Sequence, residues 1–127
     1  MAEEMGSTSS VPDALKSEIE ALEAKGILTA SAPGPFAGKE GKHVPLCEVK
    51  DGKATVTVNG HGMEEAHWMD YIYAKDADSG ALIGAVKLAY TDPTHATFPV
   101  PAGTKNVAGY NSCNLHGTWK SEPSPVA

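Results

Sequence analysis

The stretch that decides the fold is VPLCEVKDGKATVTV, residues 44–58, in which two alternating segments flank the pair Asp51-Gly52. Aspartate followed by glycine favours the two-residue turn of a β-hairpin, because both turn positions take positive φ angles. In the second segment Val56 and Val58 alternate with threonines, which is typical of a strand with one buried face. The sequence therefore predicts a hairpin formed by residues 44–50 and 53–58.

Similar short segments follow the hairpin. Five more strands are predicted, at residues 67–75, 82–90, 96–100, 105–111 and 117–121. In the first of them, alternation places Trp68 and Ile72 on one face and Met69, Tyr71 and Tyr73 on the other. Seven short strands separated by turns predict an all-β fold, a seven-stranded antiparallel β-sandwich.

The two ends of the chain differ from this pattern. Leu15, Ile19 and Leu22 follow Pro12 at helical spacing, and Gly26 supplies a stop, so we expect a short amphipathic helix of about thirteen residues. We expect this helix to pack on the domain or on a neighbouring subunit. Residues 1–35 are interpreted as an N-terminal extension with a linker, and residues 36–127 as the β-sandwich domain. Residues 121–127 contain two prolines and are expected to be flexible.

Composition excludes several classes of function. The formal net charge is −6 and arginine is absent, which argues against nucleic acid as a partner. No apolar run has membrane-spanning length, and the N-terminus lacks the features of a signal peptide, so we expect a cytoplasmic protein with no membrane partner. In that compartment a disulfide between Cys47 and Cys113 is not expected. One buried free thiol and one metal-bound or reactive cysteine are expected instead, with Cys47 acting as a buried small hydrophobic residue.

Residues that can bind a metal gather at predicted junctions between loops and strands. Cys113 and His116 lie three residues apart, and a thiolate and an imidazole at that spacing can reach one metal ion if the backbone turns between them. His43, His61 and His67 also lie beside predicted strand ends. His95, in an Asp-Pro turn, is assigned to the surface.

Three segments together resemble the superoxide reductases, the desulfoferrodoxin and neelaredoxin family. They are Lys42-His43-Val44-Pro45, His61-x-Met63-x-x-x-His67 and Cys113-Asn114-x-His116-Gly117-x-Trp119. The resemblance covers about residues 36–121, and without a cysteine-rich N-terminal module the chain resembles the one-iron form. It implies an immunoglobulin-like β-sandwich.

The resemblance also implies a mononuclear non-haem iron centre that cycles between Fe2+ and Fe3+. The implied nitrogen ligands are His43, His61, His67 and His116, and the implied axial thiolate is Cys113. The implied reaction is the one-electron reduction of superoxide to hydrogen peroxide, with a rubredoxin-like electron donor restoring Fe2+. Family members of this length commonly form homotetramers, so a homotetramer is expected.

Other residues receive roles from the same resemblance. Lys42 matches the lysine that attracts superoxide and positions a proton-donating water. The backbone amides of Asn114 and Leu115 are expected to donate hydrogen bonds to the cysteine sulfur. Where most members have Glu-Lys-His, this chain has Gly41 before Lys42, so the carboxylate ligand is expected to be missing unless Glu40 can reach the iron.

Two other functions remain open at this point. The chain could be a structural metal-binding β-sandwich that acts as an interaction module, or a superoxide dismutase that releases oxygen as well as peroxide. The metal content distinguishes the first from a reductase, and the oxygen yield distinguishes the second.

Overall fold

Short strands account for most of the regular secondary structure among the described residues. In the computed structural model of this chain, the described residues are 11–38, 40–58, 63–114 and 116–126. Two α-helices, α1 (Asp13–Glu23) and α2 (Glu40–His43), are separated by a short 3-10 helix at Gly34–Phe36. The strands are β1 (Ile27–Leu28), β2 (Leu46–Lys50), β3 (Lys53–Thr57), β4 (Met69–Asp76), β5 (Leu82–Lys87), β6 (His95–Pro99), β7 (Asn106–Cys113), β8 (Gly117–Lys120) and β9 (Ser124–Pro125).

The strands form two sheets, as a sandwich requires. The larger sheet has the order β1-β8-β7-β4-β5, with β9 also paired to β7, and the smaller has the order β2-β3-β6. The seven predicted strands are confirmed as β2 to β8. The predicted hairpin is confirmed too, with φ angles of 53° at Asp51 and 75° at Gly52.

Two short strands were not expected. β1 pairs with β8 in parallel, so the sheet is not purely antiparallel. Ser124–Pro125 pairs with the beginning of β7, and the Val126 amide donates to the Lys105 carbonyl at 2.8 Å. The expectation of a flexible tail was therefore wrong for residues 124–126. β8 ends before it reaches that part of β7, and the free backbone groups there accept a second partner.

The inner faces of the two sheets form an apolar core. Its buried members include Val56 and Phe98 from the smaller sheet and Ile72 and Ile83 from the larger. Gly84 allows the sheets to approach closely, because an added Cβ would overlap the Phe98 ring. This core fixes the spacing of the sheets and hence the positions of the strand ends.

A register shift in β4 overturns one expected face. Met69 pairs with Cys113 and Tyr71 with Ser112, so two residues of β4 advance against one of β7. The shift turns Met69 inward, where it is fully buried in the same core cluster as Ile72. Strict alternation places Met69 on the same face as Tyr71 and Tyr73, but a β-bulge interrupts the alternation of side chains.

Helix α1 covers the outer face of the larger sheet. Its Ile19 is 2% exposed and packs with Tyr71, Tyr73 and Tyr110, which confirms the expected packing on the domain. The helix has eleven residues, slightly fewer than expected. No helix among the described residues combines the length and the apolar character needed to cross a membrane.

Candidate metal centre

Metal-capable side chains from four segments meet at one end of the sandwich. His43 ends α2, His67 precedes β4, Cys113 ends β7, and His116 lies in the turn between β7 and β8. Because β4 begins beside the end of β7, antiparallel pairing brings residues that are distant in sequence to the same edge. Their ligand atoms all lie within 4.8 Å of one another.

The spacing between these atoms is that of a shared site. His67 Nε2 lies 3.1 Å from Cys113 Sγ, and His116 Nδ1 lies 3.8 Å from the same sulfur. The His116 ring is nearly perpendicular to the His43 ring, at 5.0 Å between centroids, and to the His67 ring, at 4.8 Å. The rings therefore face one another edge to face around a common centre.

Burial differs across the group. His43 and Cys113 are each 3% exposed, whereas His67 and His116 are half-buried. Trp119, fully buried, stacks on the His43 ring at 5.5 Å. The site is thus closed on the side of His43 and Cys113 and partly open to solvent on the side of His67 and His116.

The donor set fits one transition-metal ion. Metal–ligand bonds of about 2.0 to 2.3 Å place two ligands of the same ion no more than about 4 to 5 Å apart. Three imidazoles and one thiolate suit iron, copper or zinc rather than magnesium or calcium, which prefer oxygen ligands. The residues present therefore fit a mononuclear iron centre.

Hydrogen bonds hold the backbone around these side chains. The indole N–H of Trp119 donates to the His116 carbonyl at 2.8 Å, and the Asn111 amide donates to the His43 carbonyl. The Asn114 side chain bonds to residues on both sides of His67. These contacts cannot be read from the sequence directly, although a buried asparagine within a strand, such as Asn111, is unusual and indicates a specific polar role.

The structure brings together four of the five expected ligands. His61 lies outside the described residues, as do the side chains of Glu40 and Lys42, although the backbone of α2 places Lys42 directly before His43. His95 is exposed as expected, at the start of β6 rather than in a turn. Cys47 and Cys113 do not form a disulfide.

One expected contact was wrong. The backbone amide of Asn114 donates to the Trp68 carbonyl at 3.1 Å. It follows the last residue of β7, so it continues the pairing of that strand with the chain entering β4. The Asn114 amide thus donates to the chain entering β4 and not to the cysteine sulfur. Leu115 lies outside the described residues.

A half-buried carboxyl lies at the register shift beside the centre. Burial raises the pKa of Asp70 to about 6, the Lys87 cation opposes that rise, and the Glu18 carboxylate adds to it. Its Oδ1 atom is buried and accepts no hydrogen bond from the described part of the chain. Asp70 therefore takes its negative charge in an environment that solvates it poorly.

Comparison with known proteins identifies a family. Residues 36–122 match the family described as Desulfoferrodoxin. The desulfoferrodoxin of Nitratidesulfovibrio vulgaris is 36% identical over 91 residues, which cover 70% of this chain and 68% of the relative. That of Syntrophotalea carbinolica is 36% identical over 88 residues, which cover 68% of this chain and 65% of the relative. The chain thus spans about two thirds of the length of these curated relatives.

Solved structures share the fold. The superoxide reductase (neelaredoxin) from Ignicoccus hospitalis superposes with a TM-score of 0.65 at 20% identity, covering 81% of this chain and 95% of that one. The superoxide reductase from Treponema pallidum superposes with a TM-score of 0.57 at 29% identity, covering 67% and 68%. Both similarities extend the agreement from sequence to the β-sandwich itself.

Proposed function

Because this chain belongs to the desulfoferrodoxin family, we propose that it is a superoxide reductase, which reduces superoxide to hydrogen peroxide at a mononuclear iron centre. The observation that carries the proposal is the meeting of Cys113 with three histidines within 4.8 Å. A thiolate among imidazoles suits redox-active iron, and partial solvent access suits a small substrate. The enzyme is thus an oxidoreductase.

We assign the thiolate ligand to Cys113 and the nitrogen ligands to His43, His61, His67 and His116. The mutual distances of four of these residues support their assignment. His61 is assigned because it occupies its place in His61-x-Met63-x-x-x-His67, six residues before His67. When bound, iron supplies the electron and a local positive charge.

The charges of the protein favour capture of an anion only near the centre. The chain carries a formal net charge of −6, so its overall field repels superoxide. Lys42, next to His43, is proposed to supply the local attraction and to hold the water that delivers a proton. Superoxide needs one electron and two protons to become hydrogen peroxide, so a proton source close to the substrate is required.

Gly41 is proposed to leave the iron without the carboxylate that the family pattern supplies. Glu40 lies one residue too early in the chain, on the next position around α2. We propose that Glu40, one position earlier in the sequence, does not take the place of that carboxylate as an iron ligand. Superoxide reduction is expected to survive this change, because the carboxylate acts on the resting state and on product release.

Finer properties of the protein are also proposed. A rubredoxin-like protein is proposed as the electron donor, and a homotetramer as the assembly. We place the protein in the cytoplasm, which agrees with the lack of a disulfide between Cys47 and Cys113, since a reducing compartment disfavours disulfides. Residues 1–35 are proposed to be an extension of the β-sandwich domain, residues 36–127.

The two cysteines provide a matched test of the proposal. Cys113→Ala should abolish the thiolate-to-iron(III) absorption band and superoxide reduction. Cys47→Ala removes the other thiol and should retain both. Full retention of the band and of the activity by the Cys113→Ala protein would overturn the proposal.

Two further measurements separate the alternative functions. Near-stoichiometric iron in the purified wild-type protein supports the reductase, whereas stoichiometric zinc and no iron would indicate a structural metal-binding module. A reductase releases no oxygen from the superoxide that it consumes, whereas a dismutase releases one molecule of oxygen for every two of superoxide. A yield near that ratio would replace the reductase with a dismutase.

A further inference from the structure

Asn114 binds the backbone on both sides of His67. Its Oδ1 atom accepts a hydrogen bond from the Trp68 amide at 2.8 Å, and its Nδ2 donates to the Ala66 carbonyl at 3.0 Å. Its own backbone amide donates to the Trp68 carbonyl at 3.1 Å. One residue thus makes three hydrogen bonds to the three-residue segment 66–68, which carries a metal-capable imidazole at its centre.

The same segment also makes contacts of other kinds, since the Trp68 indole N–H donates to the Leu88 carbonyl at 3.1 Å. His67 forms an isolated bridge with Glu64, with two hydrogen bonds of 3.0 Å. Glu64 is itself exposed and lies in the loop that leads to His67. Regular pairing with β7 begins only at Met69. Asn114 therefore connects the backbone of residues 66–68 to the end of β7, before regular pairing begins.

The position of Asn114 in the sequence links His67 to Cys113. Asn114 directly follows Cys113, so the sulfur and the anchor of His67 move as one piece. His67 Nε2 and Cys113 Sγ, which are 3.1 Å apart, lie on the two segments that Asn114 joins. Two bonds from one planar amide, to groups on either side of His67, restrict both the translation and the rotation of the segment.

We propose that Asn114 is a positioning residue that sets the spacing of His67 and Cys113 before the metal binds. The proposal rests on the assignment of these two residues as ligands of one metal, made above. Outer groups that orient a metal ligand typically change metal affinity 10- to 100-fold when they are removed. Without the anchor, the segment must be ordered at the moment of metal binding, and that ordering lowers the affinity.

Asn111 and Trp119 make comparable contacts to the carbonyls of His43 and His116. Both side chains are fully buried, so their replacement disturbs the core as well as the ligand. Asn114 is exposed, which makes it the residue whose positioning effect can be separated from packing.

The chain offers a matched control in Asn106. This asparagine begins β7, about 23 Å along the strand from Cys113. Its side chain also makes a hydrogen bond that ties the strand to a loop, from Nδ2 to Asp78 Oδ2 at 3.2 Å. Asn106→Ala thus removes a similar bond at the opposite end of β7 from Asn114, far from the histidines.

The experiment titrates the full-length, metal-free protein with Co2+ in competition with a chelator of known affinity. Asn114→Ala is expected to bind Co2+ about 10- to 100-fold more weakly than the wild type and to show a weaker thiolate-to-cobalt absorption band. Asn106→Ala is expected to match the wild type in both. Equal affinities and spectra for Asn114→Ala and the wild type would overturn the proposal.

Asn114→Asp provides a second arm that also separates geometry from charge. The carboxylate keeps the size of the side chain and its bond to the Trp68 amide, but it repels the Ala66 carbonyl. Added negative charge alone would tighten the binding of a cation, whereas loss of the anchor weakens it. Weaker Co2+ binding is expected, and tighter binding would contradict the proposal even if Asn114→Ala failed to fold.

These titrations do not depend on the reaction. If the wild-type protein binds the metal but does not reduce superoxide, the proposed function fails while the positioning role stands. If the enzyme is active but Asn114→Ala binds Co2+ as the wild type does, only the positioning role fails.

Discussion

The metal end of the sandwich and the outer face under α1 are held together by different kinds of interaction. At the metal end, neutral side chains donate hydrogen bonds to backbone carbonyls, as Trp119 does to His116. Under α1, charged side chains meet tyrosines: Glu23 accepts hydrogen bonds from Tyr73 and from Lys75, both at 2.7 Å. Glu18 likewise binds Tyr71 and Lys87.

The two kinds of interaction suit the different roles of the metal end and of the face under α1. Neutral donors hold the histidines without adding charge beside a metal whose own charge governs the chemistry. The carboxylates of α1 add hydrogen bonds and ion pairs to the apolar contact that Ile19 makes with the tyrosines. We therefore expect changes at the metal end to alter metal binding, and changes under α1 to alter stability alone.

The largest effect is expected from Trp119→Leu. The substitution removes the ring that stacks on His43 and the N–H that binds the His116 carbonyl, both in a fully buried position. Loss of buried volume and of one hydrogen bond should lower the free energy of unfolding by about 3 kcal/mol. Chemical denaturation measures that loss, and Co2+ titration should show weaker metal binding by the folded protein.

Ile83→Ala is the control for that variant. Ile83 is 1% exposed and lies in β5, beside the end of β4 that is remote from the metal. It should lose about as much stability while its folded form keeps the Co2+ affinity of the wild type. Equal affinity for Trp119→Leu and Ile83→Ala would remove the distinction between the two regions.

The next largest effect is expected from Glu23→Ala, which leaves the buried Tyr73 hydroxyl without its acceptor. Burial and the Glu23 carboxylate raise the pKa of Tyr73, so the hydroxyl remains a donor at every pH of interest. Loss of the acceptor should cost about 2 kcal/mol of unfolding free energy, with no change in metal affinity. Thermal unfolding of the metal-free protein measures the cost.

Glu18→Ala is the matched comparison on the same helix. The side chains of Glu18 and Lys87 are 40% and 59% exposed, against 17% and 18% for Glu23 and Lys75. Exposed ion pairs contribute little, so the stability change should be much smaller and should shrink further at high salt. A larger loss of unfolding free energy for Glu18→Ala than for Glu23→Ala would contradict the expectation that the more buried ion pair contributes more.

The strands could be predicted because each alternating segment ends at its own turn residues. Asp51-Gly52 determined a hairpin locally, and the structure has it at those positions. The inward turn of Met69 could not be predicted, because it depends on a register shift against β7, a strand 37 residues later. Pairing of Ser124–Pro125 also depends on where β8 ends.

The site could be predicted as a set of residue types but not as a structure. Thiolate and imidazole ligands are recognisable from Cys113, His116 and their spacing, and the structure brings four of the expected ligands together. The anchors of those ligands could not be predicted, since Asn111 and Asn114 act on backbone groups distant in sequence. From the sequence, Asn114 is known only to follow Cys113, so its amide is predicted to bond to the sulfur and not to the Trp68 carbonyl.

A smaller effect, of opposite sign, is expected from Asp70→Asn. The folded pKa of Asp70 is raised to about 6, so its charge destabilises the folded protein above that pH. Below about pH 3 the carboxyl is mostly neutral in both folded and unfolded chains and the difference vanishes. After allowance for solvent screening, Asp70→Asn should gain about 1 kcal/mol above about pH 6 and nothing below about pH 3. Unfolding of both proteins across this pH range measures the gain, and an unchanged difference at all pH values would contradict it.

The smallest effect on stability, with a specific effect on iron, is expected from Gly41→Glu. An added Cβ at Gly41 meets nothing within 4 Å, and position 41 is exposed on α2, so the fold should accept the change with about 0.5 kcal/mol or less. The variant restores Glu-Lys-His, and its carboxylate should shift the thiolate-to-iron(III) band of the oxidised protein. Gly41→Gln, of the same size but uncharged, should leave the band unchanged.

Glu40→Ala completes that comparison within the same helix. If Gly41 leaves the iron without a carboxylate, removing the carboxylate of Glu40 has no effect on the oxidised spectrum. A band that shifts in Glu40→Ala and stays constant in Gly41→Glu would mean that Glu40 already binds the iron. The metal end would then contain a carboxylate, as the face under α1 does. The contrast between the two regions would in that case apply only to the side chains that form hydrogen bonds to the backbone around the histidines.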